Sequence, residues 1–294
     1  MQRILAGTGA HVAAYRRQPD DRRKPDQGRD DRKILPHQPV PVHRQGRRLR
    51  RHQRPDVRLE DGVAPMTNFL LIHGAFQGGW IWKPVATRLR AAGHLVFAPS
   101  LDGCGERARQ LRPGITTETQ AEELAGFLWS EDLRDVVLVG ASAGGMVMAK
   151  VAELARERIR RLVFSDALAL MHGECIRDIT GGRMSVETEL AMGPTRDDRY
   201  KRFVQELNEE TAAWAADRST VHPVGCFTSP VVPEKFWDQT WDASVVWCRQ
   251  AGKPGEPHQR RCAEALKARW HELDTGHFPM LTMQAALLRI ILEG

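Results

Sequence analysis

Residues 135–145 read Asp-Val-Val-Leu-Val-Gly-Ala-Ser-Ala-Gly-Gly and give the strongest indication of the fold. The apolar run Asp135–Gly140 predicts a strand that is buried on both faces, as in a parallel sheet. Residues 140–144 match the pattern Gly-x-Ser-x-Gly, in which a serine stands on a sharp turn between a strand and a helix. The stretch Ala143–Arg156 predicts that helix. Ser142 is therefore a candidate nucleophile at a helix amino terminus, where the dipole favours negative charge.

Strands and helices are predicted to alternate on both sides of this motif. The other predicted strands are Asn68–His73, His94–Pro99, Ile159–Asp166, Ser244–Cys248 and Arg269–Asp274. The other predicted helices are Trp80–Ala92, Thr117–Trp129 (with a capping box at Thr117 and Gln120), His258–Lys267 and Met280–Leu292. This alternation predicts an α/β fold with a doubly wound, mostly parallel sheet, whose strand ends form a ligand-binding crevice. The alternation lapses over residues 167–242, which we expect to form a helical lid insertion.

The first 65 residues differ in composition from the rest of the chain. They carry 16 Lys and Arg against 8 Asp and Glu, whereas residues 66–294 carry 27 against 29. They contain no Trp, Phe or Cys, so they bury too little apolar area to offset the entropy of ordering. We predict a disordered basic N-terminal extension at 1–65, with a natural start at Met66 as an alternative, and one folded domain over 66–294.

Composition excludes several classes of partner and cofactor. Acidic residues stand among the arginines of the extension and aromatic residues are not interleaved with them, so we expect no nucleic-acid partner. No apolar run approaches the roughly 18 residues of a membrane span, and no membrane partner is expected. The five cysteines lack CxxC spacing, which argues against disulfides and a thiolate metal site and favours a cytoplasmic protein with reduced thiols.

Two further segments complete a candidate acyl-transfer site. Such chemistry needs two backbone N–H donors for the developing oxyanion, and we assign these to Ala75 and Ala143. His73, which ends the first predicted strand, is interpreted as a structural histidine that orients this turn. A serine hydroxyl also needs an imidazole to take its proton, and His277, on the loop after the last predicted strand, is the candidate base.

The family resemblance rests on segments beyond the serine motif. These are Phe69-Leu70-Leu71-Ile72-His73-Gly74-Ala75, Gly79-Trp80 with Trp82, Leu101-Asp102-Gly103-Cys104-Gly105-Glu106-Arg107, Leu162-Val163-Phe164-Ser165-Asp166-Ala167, Leu273-Asp274-Thr275-Gly276-His277 and Pro279-Met280-Leu281. Together they make residues 67–293 similar to the branch of the α/β-hydrolase fold family that contains plant methylesterases, hydroxynitrile lyases, and bacterial pyrethroid and carbendazim hydrolases. The resemblance implies Ser142 as nucleophile, His277 as base, and no metal or organic cofactor.

The third member of the triad departs from the family pattern. The family's acid usually follows the strand predicted here at Ser244–Cys248, where Ala251 stands in its place. Asp166, at the end of an earlier strand, is our candidate for the acid. Glu256 and Asp274 are weaker alternatives, and a site without an acid is also possible because the acid orients the imidazole without accepting its proton.

The predicted function is hydrolysis of a carboxylic ester or related acyl bond in a small, fairly apolar molecule, through an acyl-enzyme on Ser142. One alternative is a lyase of the hydroxynitrile-lyase type, which carries a threonine where Gly74 stands and a lysine where Phe278 stands. Another is a non-catalytic binding protein of the same fold. The lid's large side chains are expected either to line an apolar pocket or to form the core of the lid: Met171, Met184, Met192, Trp214, Phe227, Phe236, Trp237 and Trp241.

Overall fold

The computed structural model describes residues 66–180 and 185–293, so the predicted extension at 1–65 lies outside the described residues. Within the described part, the main sheet has six parallel strands in the order β2-β1-β3-β4-β8-β9. The strands are β1 (Asn68–Ile72), β2 (Leu95–Phe97), β3 (Val136–Ala141), β4 (Ile159–Ser165), β8 (Ala243–Cys248) and β9 (Arg269–Leu273). The strand order reverses direction between β1 and β3, which brings the loops after these two strands together.

Helices cover both faces of the sheet. They are α1 (Lys83–Ala91), α2 (Thr117–Ser130), α3 (Gly144–Leu154), α8 (Glu256–Leu266), α9 (Pro279–Thr282) and α10 (Gln284–Leu292). Leu70 and Leu138 face the core that α2, α3 and α8 cover, whereas Leu71 and Val139 face the core of α1 and α10. Successive side chains of a strand point to opposite faces, so an uninterrupted apolar strand supplies both cores. The doubly wound α/β-hydrolase fold is thereby confirmed.

The insertion between β4 and β8 contains strands as well as helices. Its elements are α4 (Ile176–Thr180), β5 (Val186–Glu187), β6 (Ala191–Gly193), α5 (Arg196–Phe203), α6 (Glu209–Arg218), β7 (His222–Pro223) and α7 (Gly225–Thr228). The three short strands form a small antiparallel sheet in the order β5-β6-β7. The sequence pattern of residues 167–242 predicted only helices, because strands of two or three residues are too short to show an alternating pattern.

The predicted helix ends lie within three residues of the observed ones, but two features of the helices differ from the prediction. The capping box of α2 uses Thr116 and Thr119, one residue earlier than predicted, because the Thr116 hydroxyl accepts a hydrogen bond from the Thr119 N–H. The single helix predicted at the carboxyl end is divided into α9 and α10 at Met283. Neither difference moves a candidate site residue. None of the described helices is long and apolar enough to cross a membrane.

Candidate active site

Ser142 stands on the turn between β3 and α3 in a strained backbone conformation. Its φ of 49° lies in the left-handed region, which a residue with a side chain adopts only when its surroundings hold it there. A Cβ on Gly144 would lie 2.6 Å from the carbonyl oxygens of Ile72 and His73, so α3 starts against the end of β1 and only glycine fits. The serine carbonyl accepts hydrogen bonds from the N–H groups of Gly145 (3.0 Å) and Leu168 (2.8 Å), which fix the turn.

His73 holds the loop after β1 in place. The Leu101 N–H donates to His73 Nε2 over 2.9 Å, so the ring proton is on Nδ1, which donates to the Gly74 carbonyl over 2.8 Å. The side chain is fully buried, and burial lowers the pKa of His73 to about 4. A neutral histidine with both nitrogens occupied agrees with the structural role predicted for it.

The two amides assigned to the oxyanion hole flank the serine. A Cβ on Gly74 would lie 2.7 Å from the Cβ of Ser142, so the loop that carries Ala75 passes directly beside Ser142. Ala143 follows the serine and precedes α3. In the part of the chain that the structure describes, neither amide donates to a protein acceptor. Both N–H groups are therefore free to bind an oxyanion.

The structure brings Asp166 and His277 together. Asp166 follows β4, is fully buried, and has a φ of 44°, another left-handed conformation held by the hydrogen bond from its N–H to the Val246 carbonyl (2.8 Å). Its Oδ2 lies 2.5 Å from His277 Nδ1, and its Oδ1 accepts from the Cys248 N–H at 3.4 Å. With Nδ1 donating to the carboxylate, the unprotonated Nε2 of His277 is the basic atom.

The other acids considered from the sequence pair elsewhere. Glu256 accepts from Arg260 at 2.7 Å, and Asp274 accepts from Gln250 at 3.2 Å. Ala251, which stands at the family's usual acid position, is buried. Of the alternatives, Asp166 is thus the carboxylate in contact with His277.

Two adjoining cavities meet at Ser142 and His277. The first, of about 310 Å³, has a mostly apolar surface that includes Phe76, Phe203 and Phe278. The second, of about 770 Å³, is more polar and is bordered by glutamine and lysine side chains. Ser142 and His277 both lie in the described part of the chain, and the serine hydroxyl forms no hydrogen bond with the His277 ring. Such bonds are often long in free enzymes and shorten when substrate binds.

Of the eight large apolar lid residues considered from the sequence, the seven that the structure describes line neither cavity. Phe236 and Trp241 lie in the core beside β4 and β8. Met192 and Phe227 lie in the core of the lid. Trp214 packs against the core that α1 and α10 cover on the other face of the sheet. They thus pack in hydrophobic cores and not around a ligand pocket, but only Met192 and Phe227 lie in the core of the lid itself. Met184 lies outside the described residues. The part of the lid that lines the first cavity includes Arg199, Arg202 and Phe203 of α5.

Three charged residues of this region were missed by the sequence analysis. Arg199 and Arg202 both line the first cavity, and Arg202 Nη2 pairs with Glu206 Oε1 at 2.5 Å. Glu206 packs against the loop of His277, because a Cβ on Gly276 would lie 2.1 Å from the glutamate Cδ. The available signal was the spacing of three between the two arginines, which places them on one face of a helix. Among the described residues, no group of three or more His, Cys, Asp or Glu is placed to hold a metal ion.

The fold is that of an α/β-hydrolase, and a comparison with protein-family models gives the same class. The chain belongs to the alpha/beta hydrolase family, whose model matches residues 69–290. The match includes every candidate site residue discussed above, from His73 to His277.

Individual relatives match shorter segments. Over 111 residues the chain is 43% identical to a carbendazim-hydrolysing esterase of Nocardioides sp. (strain SG-4G), a match covering 38% of this chain and 46% of that protein. Over 101 residues it is 35% identical to an alpha-hydroxynitrile lyase of Arabidopsis thaliana, covering 34% and 39%. These matches span less than half the length of the curated relatives. An extracellular α/β-hydrolase from a Paenibacillus species shares the fold, with a TM-score of 0.64 and 22% identity over 78% of this chain and 98% of that one.

Proposed function

We propose that this protein is a serine esterase that hydrolyses a carboxylic ester, or a related acyl bond, of a small molecule. The contact between His277 Nδ1 and Asp166 Oδ2 at 2.5 Å, beside a cavity that Ser142 also lines, carries the proposal. A serine on a strained turn, an imidazole and a buried carboxylate are the parts of a nucleophilic triad, arranged in the chain order typical of this fold.

In the acylation half of the reaction, His277 Nε2 takes the proton of the Ser142 hydroxyl as the serine oxygen attacks the ester carbonyl carbon. The N–H groups of Ala75 and Ala143 bind the oxyanion of the tetrahedral intermediate. When the intermediate collapses, the bond to the alkoxy oxygen breaks, and the imidazolium gives its proton to the leaving alcohol. Asp166 remains ionised throughout and stabilises the imidazolium.

In the deacylation half, a water molecule takes the place of the alcohol. His277 removes a proton from the water as its oxygen attacks the acyl-enzyme carbonyl, and the serine oxygen leaves with that proton. The products are a carboxylic acid, an alcohol and the free enzyme. Each residue thus returns to its starting protonation state, and no metal or organic cofactor is needed.

The relatives support this class of reaction without fixing the substrate. One of them is named as an esterase and another as an alpha-hydroxynitrile lyase. The lyase alternative is the weaker one, because Phe278 occupies the position where lyases of this branch carry a lysine, and it is buried.

A cavity of about 310 Å³ is at the lower end of the size of small-molecule sites, which favours a small substrate. Location in the cytoplasm stays a prediction.

The test is covalent labelling of the nucleophile by a fluorophosphonate, together with hydrolysis of p-nitrophenyl acetate and butyrate. We expect the label on the peptide that contains Ser142 and not on Ser219, which lines the same cavity and serves as an internal control. Ser142→Ala should abolish both labelling and turnover while the protein stays folded by circular dichroism. Full activity of Ser142→Ala would contradict the proposal, and cyanide release from mandelonitrile without ester hydrolysis would favour the lyase.

A further inference from the structure

A buried arginine, Arg199, lines the first cavity. Arg199 lies in α5, lines the cavity together with Ser142 and His277, and is 8% exposed. Its Nε has no hydrogen-bond partner, and within residues 66–180 and 185–293 its guanidinium makes no ion pair. Burial lowers the pKa of Arg199, and no carboxylate beside it counteracts this effect. A buried charge without a counter-charge destabilises the folded state.

The other charged groups of the cavity are already occupied. Arg202 is paired with Glu206 at 2.5 Å. Asp198 Oδ2 accepts hydrogen bonds from the hydroxyl groups of Ser185 (2.7 Å) and Thr195 (2.6 Å), as part of the capping box of α5. His277 is bonded to Asp166. Arg199 is therefore the uncompensated charge of this cavity, within the described part of the protein.

Aromatic packing compensates Arg199 only weakly. Its Cζ lies 5.9 Å from the centre of the Phe76 ring, at the outer limit of a cation–π contact. Gly193 closes the other side, since a Cβ there would lie 3.1 Å from the Phe76 ring and 3.4 Å from Arg199 Nη2. The guanidinium is thus held in place by packing beside the phenylalanine rings of the cavity, and its Nε has no hydrogen-bond acceptor among the described residues.

We propose that the substrate carries a carboxylate, which the Arg199 guanidinium binds while the ester group lies at Ser142. The planar fork of N–H groups matches a carboxylate with two parallel hydrogen bonds, and this pairing neutralises the buried charge. The aromatic side chains around the arginine would cover an apolar chain between the two groups. This assignment rests on the proposed esterase function and names its substrate class: small esters with an apolar body and one carboxylate.

The kinetic test compares esters that differ only in this charge. The first pair is methyl hydrogen glutarate and dimethyl glutarate, with the carboxylate on the acyl side, and the second is acetoxyacetate and its methyl ester, with the carboxylate on the alcohol side. We expect the wild-type protein to prefer the charged member of at least one pair in kcat/KM. Arg199→Met should lower kcat/KM for that ester by about 30-fold or more, as when one member of a buried charge pair is lost, and should lower it much less for the neutral ester.

Arg196→Met is the matched control. Arg196 lies on the same helix, is exposed, lines neither cavity, and pairs with Asp217 at 2.8 Å. This variant should keep the preference for the charged ester. The assignment would be overturned if, in both pairs, Arg199→Met showed the same ratio of kcat/KM for the charged and the neutral ester as the wild-type protein. Arg199→Met should also unfold at a temperature no lower than the wild type, because it removes an unpaired buried charge.

Binding to a variant that lacks the nucleophile separates this inference from the proposed function. Calorimetry with Ser142→Ala should show tighter binding of a charged ester than of its neutral partner, and Ser142→Ala with Arg199→Met should show no such difference. If the charged ester binds through Arg199 and the wild-type protein does not hydrolyse it, the substrate class stands and the esterase proposal fails. If both esters are hydrolysed equally and Arg199→Met has no effect, the esterase proposal stands and this inference fails.

Discussion

At the scale of single residues, two histidines of the same region have opposite surroundings. His73 is fully buried with both ring nitrogens in hydrogen bonds to the backbone, whereas His277 bonds Asp166 through one nitrogen and lines the cavity of Ser142. Sequence position predicted this difference, because His73 ends a strand in a glycine turn and His277 follows the last strand. Arg199 could not be predicted in this way, since its burial depends on how the lid packs on the sheet.

Asp166→Asn tests the acid at this scale. Asparagine keeps the shape of the side chain but presents an amide that cannot hold the Nδ1–H form of His277, so we expect kcat to fall by about 10³- to 10⁴-fold with the fold intact. The measurement is hydrolysis of p-nitrophenyl butyrate, with circular dichroism as the check of folding. Asp274→Asn is the control, because Asp274 is exposed and three residues from His277. An unchanged rate for Asp166→Asn would assign the orienting role to another group.

At the level of strands and helices, the close approach of neighbouring backbones determines where the residues of the site lie. The sheet register pairs Ile72 with Gly140 and Ala141 with Ser165, so the loops after β1, β3 and β4 emerge side by side. Strands β1, β3 and β8 were predictable because each is a short apolar run that is followed by a polar residue. The small sheet of the lid was not, because its strands have two or three residues and depend on tertiary contacts.

Gly144→Ala tests the contact between α3 and β1. Its methyl group would lie 2.6 Å from two carbonyl oxygens of β1 and the following loop, and backbone must move to admit it. We expect a loss of about 1–3 kcal/mol in the free energy of unfolding and a lower kcat. Gly126→Ala in α2 is the control, since a Cβ there meets nothing within 4 Å. It should raise stability by roughly 0.5–1 kcal/mol, as expected for a helix interior. Urea unfolding measures both, and equal effects would contradict the argument.

At the scale of the whole molecule, buried neutral histidines link stability to pH. Burial lowers the pKa of His73 to about 4 and that of His222 to about 3, whereas an unfolded histidine titrates near about 6.5. Below that value the unfolded chain binds protons that the native protein does not. The free energy of unfolding should therefore fall as the pH drops from about 6.5 to 4, by up to about 1.4 kcal/mol per pH unit for each histidine.

Urea unfolding at about pH 7, 5.5 and 4.5 measures this slope. His222→Gln should make the decline shallower, because one of the protons that link unfolding to pH is gone. His172→Gln controls for the loss of a histidine as such, since His172 is exposed in the lid. A midpoint that stays constant over this range would show that protonation of these buried rings is not coupled to unfolding.

The predicted boundary near Met66 is tested by truncation. The candidate nucleophile, base, acid and cavity walls all lie between Ala75 and Phe278. A chain that begins at Met66 should therefore keep kcat/KM for p-nitrophenyl butyrate within about twofold of the full sequence, the range of changes distant from a site. Because residues 66–294 carry 27 basic and 29 acidic residues, the shorter chain should bind an anion exchanger at neutral pH, whereas the full chain, at +6, should bind a cation exchanger. A tenfold loss of activity with the fold intact would mean that residues 1–65 take part in the site.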